Sequence, residues 1–168
     1  KQIKVFQENP DIDFLGGNRD DERMGTIFQN YNQLTQIQFK TLLFRMQPSA
    51  SSVMFKKNSI LNDIGYFNDA RRYMEDAEYW FRICKHKNCY FLPEQLVISD
   101  GGTKAYFGQR GLSSRLWEME KGELKNFVTI YRKGNISFFL YIVCTLFSLI
   151  KFLRRILIVI FFIHNKNK

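Results

Sequence analysis

The residues best suited to chemistry are two adjacent acids, Glu75 and Asp76, within the segment YMEDAEYWFRI at 73–83. A carboxylate held close to a hydroxyl can accept its proton and act as a general base. Acids in the first turn of a helix are also stabilised by the helix dipole, by about 0.3–1 kcal/mol each, and most have no further role. The pair alone therefore leaves two alternatives open, a base that faces a cleft and an ordinary helix start.

The other reactive side chains argue against several kinds of site. The chain has only two histidines and no CxxC or HExxH pattern, so a zinc site is not expected. The three cysteines lack the spacing of a disulfide framework and are interpreted as reduced thiols of a cytoplasmic protein. Basic residues interleaved with aromatic ones can indicate nucleic acid, but here they lie in an apolar tail, which favours a lipid surface and no nucleic acid.

Short strands and helices alternate through most of the chain, and this order predicts an α/β layer architecture. Strands are predicted at 12–17, 51–57 and 89–99, and helices at 1–8, 31–46, 59–64, 75–86 and 113–130. The clearest pattern is that of 75–86, where one apolar face and one charged face are predicted. The apolar face holds Met74, Ala77, Phe81 and Cys84, and the other holds most of Glu75, Glu78, Arg82 and Lys85. The chain starts within a helical pattern and without Met, so it is expected to be a piece of a longer protein.

The positive charge is concentrated towards the C-terminus. The formal net charge is +9, and residues 121–168 hold nine Lys and Arg against the single acid Glu123, a net charge of +8. Residues 1–120 therefore carry a net charge of only +1. Any inference about charged partners concerns the tail rather than the whole chain.

The tail carries two apolar runs, at 136–150 and 156–163, separated by the charged sequence KFLRR. Neither run reaches the roughly 20 apolar residues of a spanning helix. Polar side chains recur at steps of three or four residues and form one stripe of the predicted helix: Thr145, Ser148, Lys151 and Arg155. A wide apolar face with a narrow basic stripe is typical of a helix that lies in the plane of an anionic membrane surface. The alternative is an apolar core helix, or a helix that buries its apolar face against a partner.

Four segments carry a resemblance to a known family: ENPDIDFLGG at 8–17, PSASSVMFKKNSILNDIGYFND at 48–69, EDAEYWFRI at 75–83 and YFLPEQLVIS at 90–99. Their order and spacing resemble the family 2 glycosyltransferases of the GT-A fold, in the acceptor-side half of the catalytic domain. The resemblance covers roughly residues 1–115. It implies an α/β fold, with a partial GT-A (Rossmann-like) domain over 1–130. An apolar, basic-striped helical tail over 131–168 would follow, as in membrane-associated bacterial members of the family that build surface polysaccharides.

The resemblance also implies roles for individual residues. The aspartate of the family's Glu-Asp pair is the general base of an inverting transfer, and it corresponds to Asp76, while Glu75 would fix the loop or orient the acceptor. Trp80 lies one turn further on, where it would either stack on an acceptor sugar or belong to the core. Arg110 or Arg115 would either contact the departing diphosphate or be a solvated loop arginine.

The chain departs from the family pattern in two places. The DxD motif, which holds a divalent cation (Mg or Mn) against the nucleotide diphosphate, is expected before residue 1, so this chain itself would bind no metal. Asp11-Ile-Asp13 fits the letters of that motif but not its place, and it is rejected as the metal site. The Gln-x-x-Arg-Trp motif of processive members is absent at the proper spacing around 109–117, which favours transfer of a single sugar.

The resulting expectation is an inverting, non-processive glycosyltransferase. It would move a sugar from a nucleotide-sugar donor to a lipid-linked or saccharide acceptor, at the cytoplasmic face of the cell membrane, with residues 136–163 on the anionic lipid. Without the donor-binding half, this chain alone is expected to be inactive. Two alternatives stay open: a non-catalytic, membrane-peripheral interaction module or gene remnant, and a small membrane protein with an unrelated soluble domain.

Overall fold

The computed structural model describes the backbone of residues 1–20, 25–26, 29–98 and 112–166. Its α-helices are α1 (Gln2–Glu8), α2 (Phe39–Phe44), α3 (Lys57–Asp63), α4 (Glu75–His86), α5 (Leu116–Arg132) and α6 (Phe138–Lys166). Its strands are β1 (Phe14–Arg19), β2 (Gly25–Thr26), β3 (Gln29–Asn30), β4 (Thr35–Gln36), β5 (Met54–Phe55) and β6 (Cys89–Val97). The chain divides into two compact units, the first comprising Lys1–Asn68 and Asp76–Thr103 and the second comprising Asp69–Glu75 and Lys104–Lys168.

The first unit is built on a mixed four-stranded sheet with the order β4-β6-β1-β5. Strands β1 and β6 run parallel, whereas β5 is antiparallel to β1 and β4 is antiparallel to β6. Parallel strands need a crossover connection, and here α4 lies in the chain between them and directly precedes β6. Strands β2 and β3 form a separate antiparallel pair.

The core of the first unit forms where α4 meets the sheet. Trp80 and Phe81 lie three and four residues after Ala77, and Cys84 lies four and three residues after them, so the four share one face of α4 and all are buried. The Trp80 ring lies edge-on to that of Phe14 on β1, with 4.8 Å between the ring centroids. Edge-to-face aromatic pairs of this kind add to the stabilisation that burial already gives.

The second unit contains a hairpin of two helices, α5 and α6. Gly134 has a φ of +69° between them, and the Asn135 amide donates to the Ile130 carbonyl, which closes the turn. Trp117 contacts Phe152 at one end of the hairpin, with 5.7 Å between ring centroids. Short turns with a glycine in the left-handed region are the usual way in which one helix ends and a second folds back on it.

The predicted α/β class is confirmed, because helices and a mixed sheet both occur. The finer, Rossmann-like assignment stays a prediction. The domain boundary at residue 130 also stays a prediction, because the two compact units are not defined by where a catalytic domain ends.

Two local predictions differ from the structure. The helix predicted at 31–46 is divided, because Thr35 and Gln36 pair with β6 before α2 begins at Phe39. The strand predicted at 51–57 is reduced to β5, because Ser52 instead belongs to a short helical turn. The Ser52 hydroxyl donates to Gly17 O at 2.8 Å. In both places a contact distant in sequence overrides local propensity.

Candidate functional site

The acidic pair lies at the first turn of α4. Glu75 and Asp76 are both half-buried, whereas the residues that directly follow them, from Ala77 to Phe81, are buried. Asp76 Oδ1 accepts a hydrogen bond of 2.7 Å from the Ala77 backbone N–H. This bond restricts rotation of the carboxylate, and the positive end of the helix dipole stabilises its charge. The geometry thus gives Asp76 a defined orientation at the edge of a rigid helix.

Polar contacts from α4 hold the turn that follows α3. Arg82 Nε shares its N–H between the two carboxylate oxygens of Glu78 at 3.0 and 3.1 Å. The other two guanidinium nitrogens donate to the carbonyls of Ile64 and Tyr66 at 2.8 and 2.7 Å. The Arg82 guanidinium also lies over the Tyr79 ring, 4.8 Å from the centroid. All three guanidinium nitrogens therefore have acceptors, and the two bonds to backbone carbonyls fix α4 relative to this turn.

Tyr79 adds a second contact to the same turn. Its hydroxyl donates to Gly65 O at 2.7 Å, and burial raises the pKa of the phenol, which favours the protonated form that donates this bond. Gly65 has a φ of +83°, a conformation that glycine adopts without strain. The roles of Tyr79 and Arg82 were missed from sequence, where Arg82 was assigned only to a charged face. Both contacts join residues 14 to 18 positions apart, and no local pattern in the sequence identifies them.

Trp80 lies in the core, which is one of the two roles that its sequence position allowed. Its ring is only 2% exposed, and its indole N–H donates to Pro48 O at 3.1 Å. A sugar can stack only on an open ring face. Trp80 therefore packs beneath the helix that carries Asp76, and its buried ring offers no face for an acceptor sugar.

A small pocket lies in the first unit at the carboxyl end of β1. It is lined by 17–19, 47–49 and Phe91. The side-chain oxygens of Asn18 and Gln47 are buried there without a hydrogen-bond partner among the described residues. Ligands of α/β proteins often bind beyond the carboxyl ends of parallel strands, and such acceptor oxygens suit a hydroxyl donor. Sequence reasoning missed this pocket.

The paired glycines of DFLGG are the sequence signal of the same region. A Cβ added at Gly16 would lie 2.1 Å from Pro48 Cγ, and one added at Gly17 would lie 2.2 Å from Leu96 Cδ1. Both glycines therefore permit close packing of neighbouring segments at the end of β1. The pairing of β1 with β6 also becomes irregular on either side of Asn18.

The two arginines considered for the diphosphate have different outcomes. Arg110 lies outside the described residues. Arg115 belongs to the second unit, is exposed, and precedes α5, where its amide donates to Leu112 O at 3.1 Å. Its contact with a diphosphate stays a prediction.

The acids of this chain do not fit a metal site in the part that the structure describes. No group of three or more His, Cys, Asp or Glu in these residues could hold a cation. Asp13 instead joins three segments, because its carboxylate accepts from Ser59 Oγ at 2.7 Å and from the Asn88 amide at 3.1 Å. Asp11 is exposed. We therefore derive no step through a metal held by these residues.

The predicted polar stripe of the tail contacts α5. Ser148 is fully buried and donates to Glu120 at 2.8 Å, and Lys151 pairs with Glu123 at 2.6 Å. An apolar stripe of α6 is exposed instead: Phe138, Ile142, Leu146, Leu149, Leu153, Leu157 and Ile160. No helix in the described part of the chain combines the length and the apolar character needed to cross a bilayer.

Comparison of the chain with protein-family models, with curated proteins and with solved structures found no match.

Proposed function

We propose that the chain is the acceptor-side half of an inverting glycosyltransferase of the GT-A class. The observation that carries the proposal is the half-buried Asp76 carboxylate, oriented at the start of a helix whose following residues are buried. The order of the four resembling segments and the mixed sheet beneath α4 support it. The pocket at the end of β1 adds two acceptor oxygens in the same unit.

In this proposal Asp76 accepts a proton from the attacking hydroxyl of the acceptor. As the proton leaves, the hydroxyl oxygen forms a bond to the anomeric carbon of the donor sugar. The bond from that carbon to the nucleotide diphosphate breaks on the opposite face, and the diphosphate departs with the electron pair. Attack opposite the leaving group inverts the anomeric configuration. Glu75 orients the acceptor or the loop, and a positioned carboxylate of this kind contributes about 10²–10⁴-fold to the rate.

The donor side of the reaction is assigned to sequence before residue 1. There a DxD motif would hold Mg or Mn against the diphosphate of the nucleotide sugar. Arg115, and Arg110 beyond the described residues, are the side chains of this chain proposed to contact the departing diphosphate. The transferred group is a single sugar.

The acceptor is proposed to be lipid-linked, or a saccharide at a lipid surface, on the cytoplasmic face of the cell membrane. The apolar stripe of α6 is the supporting observation, together with the exposed cations Arg132, Lys133 and Arg154. A helix that exposes apolar residues beside positive charge suits an anionic lipid surface. This arrangement would place the acceptor half where lipid-linked saccharides occur.

The test replaces Asp76 with Asn in a protein in which the upstream half is restored. Transfer is measured with UDP-, GDP- and dTDP-sugars as donors and a bacterial lipid extract as acceptor. We expect kcat to fall about 10²–10⁴-fold, because Asn retains the shape of Asp but cannot accept the proton. Asp11→Asn makes the same chemical change at an exposed site and should leave kcat within about twofold. Activity of the Asp76→Asn protein within about threefold of the original would remove Asp76 from the chemistry.

A non-catalytic, membrane-peripheral module is the second candidate, and the exposed stripe of α6 favours it independently of Asp76. The coding sequence upstream of Lys1 separates the two candidates. An in-frame strand that ends in Asp-x-Asp supports the enzyme, whereas a nearby stop codon supports the module.

A further inference from the structure

The turn that leads into the acidic pair has an uncommon backbone conformation. Met74 has a φ of +56°, in the left-handed region that side chains other than glycine adopt rarely. Such a conformation persists where the surrounding structure holds it in place. The next two residues in the chain are Glu75 and Asp76, so whatever holds Met74 also determines where α4 begins.

Helix α5 supplies the contacts that hold this turn. Asn126 Nδ2 donates to Met74 O at 3.0 Å, and Asn126 Oδ1 accepts from Arg71 Nη1. The second guanidinium nitrogen of Arg71 donates to Thr129 Oγ1 at 3.0 Å. Asn126 is only 1% exposed, so its amide is committed to these partners and is poorly replaced by water. One buried side chain thus contacts both the Arg71 guanidinium and the Met74 backbone, at the two ends of the segment 71–74.

Gly122 allows the close approach that these bonds require. A Cβ added at Gly122 would lie 2.8 Å from Tyr73 O and 3.1 Å from Met74 Cβ. Gly122 lies four residues before Asn126, and Thr129 lies three residues after it, so all three share one face of α5. We call these three residues the clamp: Gly122, Asn126 and Thr129.

We propose that the clamp is a positioning element for the Glu75-Asp76 pair, with Asn126 as its central residue. The catalytic consequence rests on the proposed function, but the structural consequence does not. Release of the Met74 carbonyl allows the turn to leave the left-handed conformation, and the peptide units of Glu75 and Asp76 then move with it. A catalytic carboxylate displaced by about 1 Å can lose about 10²-fold in rate.

The kinetic test uses Asn126→Ala in the protein with the upstream half restored. We expect kcat to fall about 10- to 100-fold while KM for the nucleotide sugar stays within about twofold, because the donor binds elsewhere. Met74→Gly in the same protein should recover at least half of the loss on a logarithmic scale, because glycine adopts a positive φ without steric cost. An unchanged kcat, or a loss that Met74→Gly does not reduce, would overturn the proposal.

Ser148→Ala on α6 is the matched control, because its partner Glu120 lies on the face of α5 opposite the clamp. It removes the buried hydrogen bond to Glu120 and leaves every clamp contact intact. We expect it to lower the Tm about as much as Asn126→Ala does, while kcat stays within about twofold. An equal loss of kcat in both variants would mean that general loosening of α5 accounts for the effect, and the clamp would have no positioning role.

Hydrogen exchange of the 168-residue chain decides the structural part without any transfer assay. Asn126→Ala should increase exchange of the amides at 74–77 by about tenfold or more, and Ser148→Ala should not. If the restored protein transfers no sugar, the proposed function fails, yet the exchange result still decides whether the clamp holds this turn. Unchanged exchange at 74–77 in Asn126→Ala would overturn the clamp even if Asp76 proves to be the base.

Discussion

The helices α4 and α6 are both amphipathic, but they place their polar and apolar faces in opposite ways. In the first unit, α4 buries Trp80 and Phe81, while the charged Lys85 remains exposed. In the second unit, α6 turns Ser148 and Lys151 towards α5 and exposes its apolar stripe. The first arrangement is that of an ordinary core helix. The second is the reverse, because α6 buries polar side chains and exposes apolar ones.

This difference teaches that the two helices need different surroundings. Burial of one large apolar side chain contributes about 1.5–3 kcal/mol, and α4 gains this from its own unit. The apolar stripe of α6 extends for roughly 33 Å at 1.5 Å per residue and gains nothing comparable in water. A contiguous apolar surface of this kind marks a contact with lipid or protein. Function in the second unit should therefore depend on what covers α6.

The largest expected effect comes from the core of the first unit. Trp80→Ala should lower the free energy of unfolding by about 3–5 kcal/mol, because it leaves a cavity beside Phe14 and removes the indole donor to Pro48. Trp117→Ala is the matched control in the second unit, where the ring is 54% exposed, and should cost less than about 1 kcal/mol. Urea unfolding followed by circular dichroism measures both. If both variants lost the same free energy of unfolding, burial of Trp80 and exposure of Trp117 would not account for their contributions to stability.

The next effect concerns the covering of α6. Leu153→Glu should weaken binding to vesicles that contain about 30% anionic lipid by roughly 10- to 100-fold, because an apolar insertion of about 1.5–3 kcal/mol is lost. Leu112→Glu introduces the same charge at an exposed leucine outside α6 and should weaken binding less than about threefold. Sedimentation with vesicles measures both variants.

Two results would contradict the lipid interpretation of the stripe. One is vesicle binding of Leu153→Glu that equals that of the unchanged chain. The other is a chain that is dimeric without lipid and becomes monomeric with Leu153→Glu, because a second copy would then cover α6.

The amphipathic pattern of α4 was sufficient to predict its bounds. The helix predicted at 75–86 agrees with Glu75–His86, because apolar residues at regular helical steps meet a sheet that buries them. The helical conformation of the tail was also predictable from the regular three- and four-residue steps of the polar residues within its two apolar runs. In these places local pattern and tertiary contact favour the same structure.

The orientation of the α6 polar residues could not be predicted in this way. Their partners, Glu120 and Glu123, lie 28 residues earlier in the chain, and nothing in the tail sequence identifies them. The clamp was missed for the same reason. Asn126 lies 52 residues from Met74 in the chain, and the sequence alone shows it only as one polar residue of a helix. Sequence located the acidic pair, and only tertiary contacts reveal what holds the turn before it.

The polar contacts between α5 and α6, those of Ser148 with Glu120 and of Lys151 with Glu123, form what we call the polar seam. It contains a buried acid, Glu120, whose titration tests whether α6 buries its polar side. Glu120 is fully buried, accepts from Ser148, and lies in the field of Glu123, Lys151 and Arg155. Burial raises the pKa of this carboxyl, and the neighbouring acid raises it further, while the serine and the two cations oppose the shift. The opposed contributions make this the smallest of the expected effects.

The sign follows from proton binding. Because the pKa of Glu120 is higher in the folded chain than its unfolded value of about 4.3, the folded state binds more protons between the two values. Its contribution to stability is complete below about pH 4.3 and is lost as the pH rises through the folded-state pKa. Glu120→Gln does not titrate and can still accept from Ser148, so it should gain stability relative to the unchanged chain between pH 4 and 8, as measured by urea midpoints. A stability difference that stays constant with pH would mean that Glu120 is solvated, and that α5 and α6 do not form a dry polar seam.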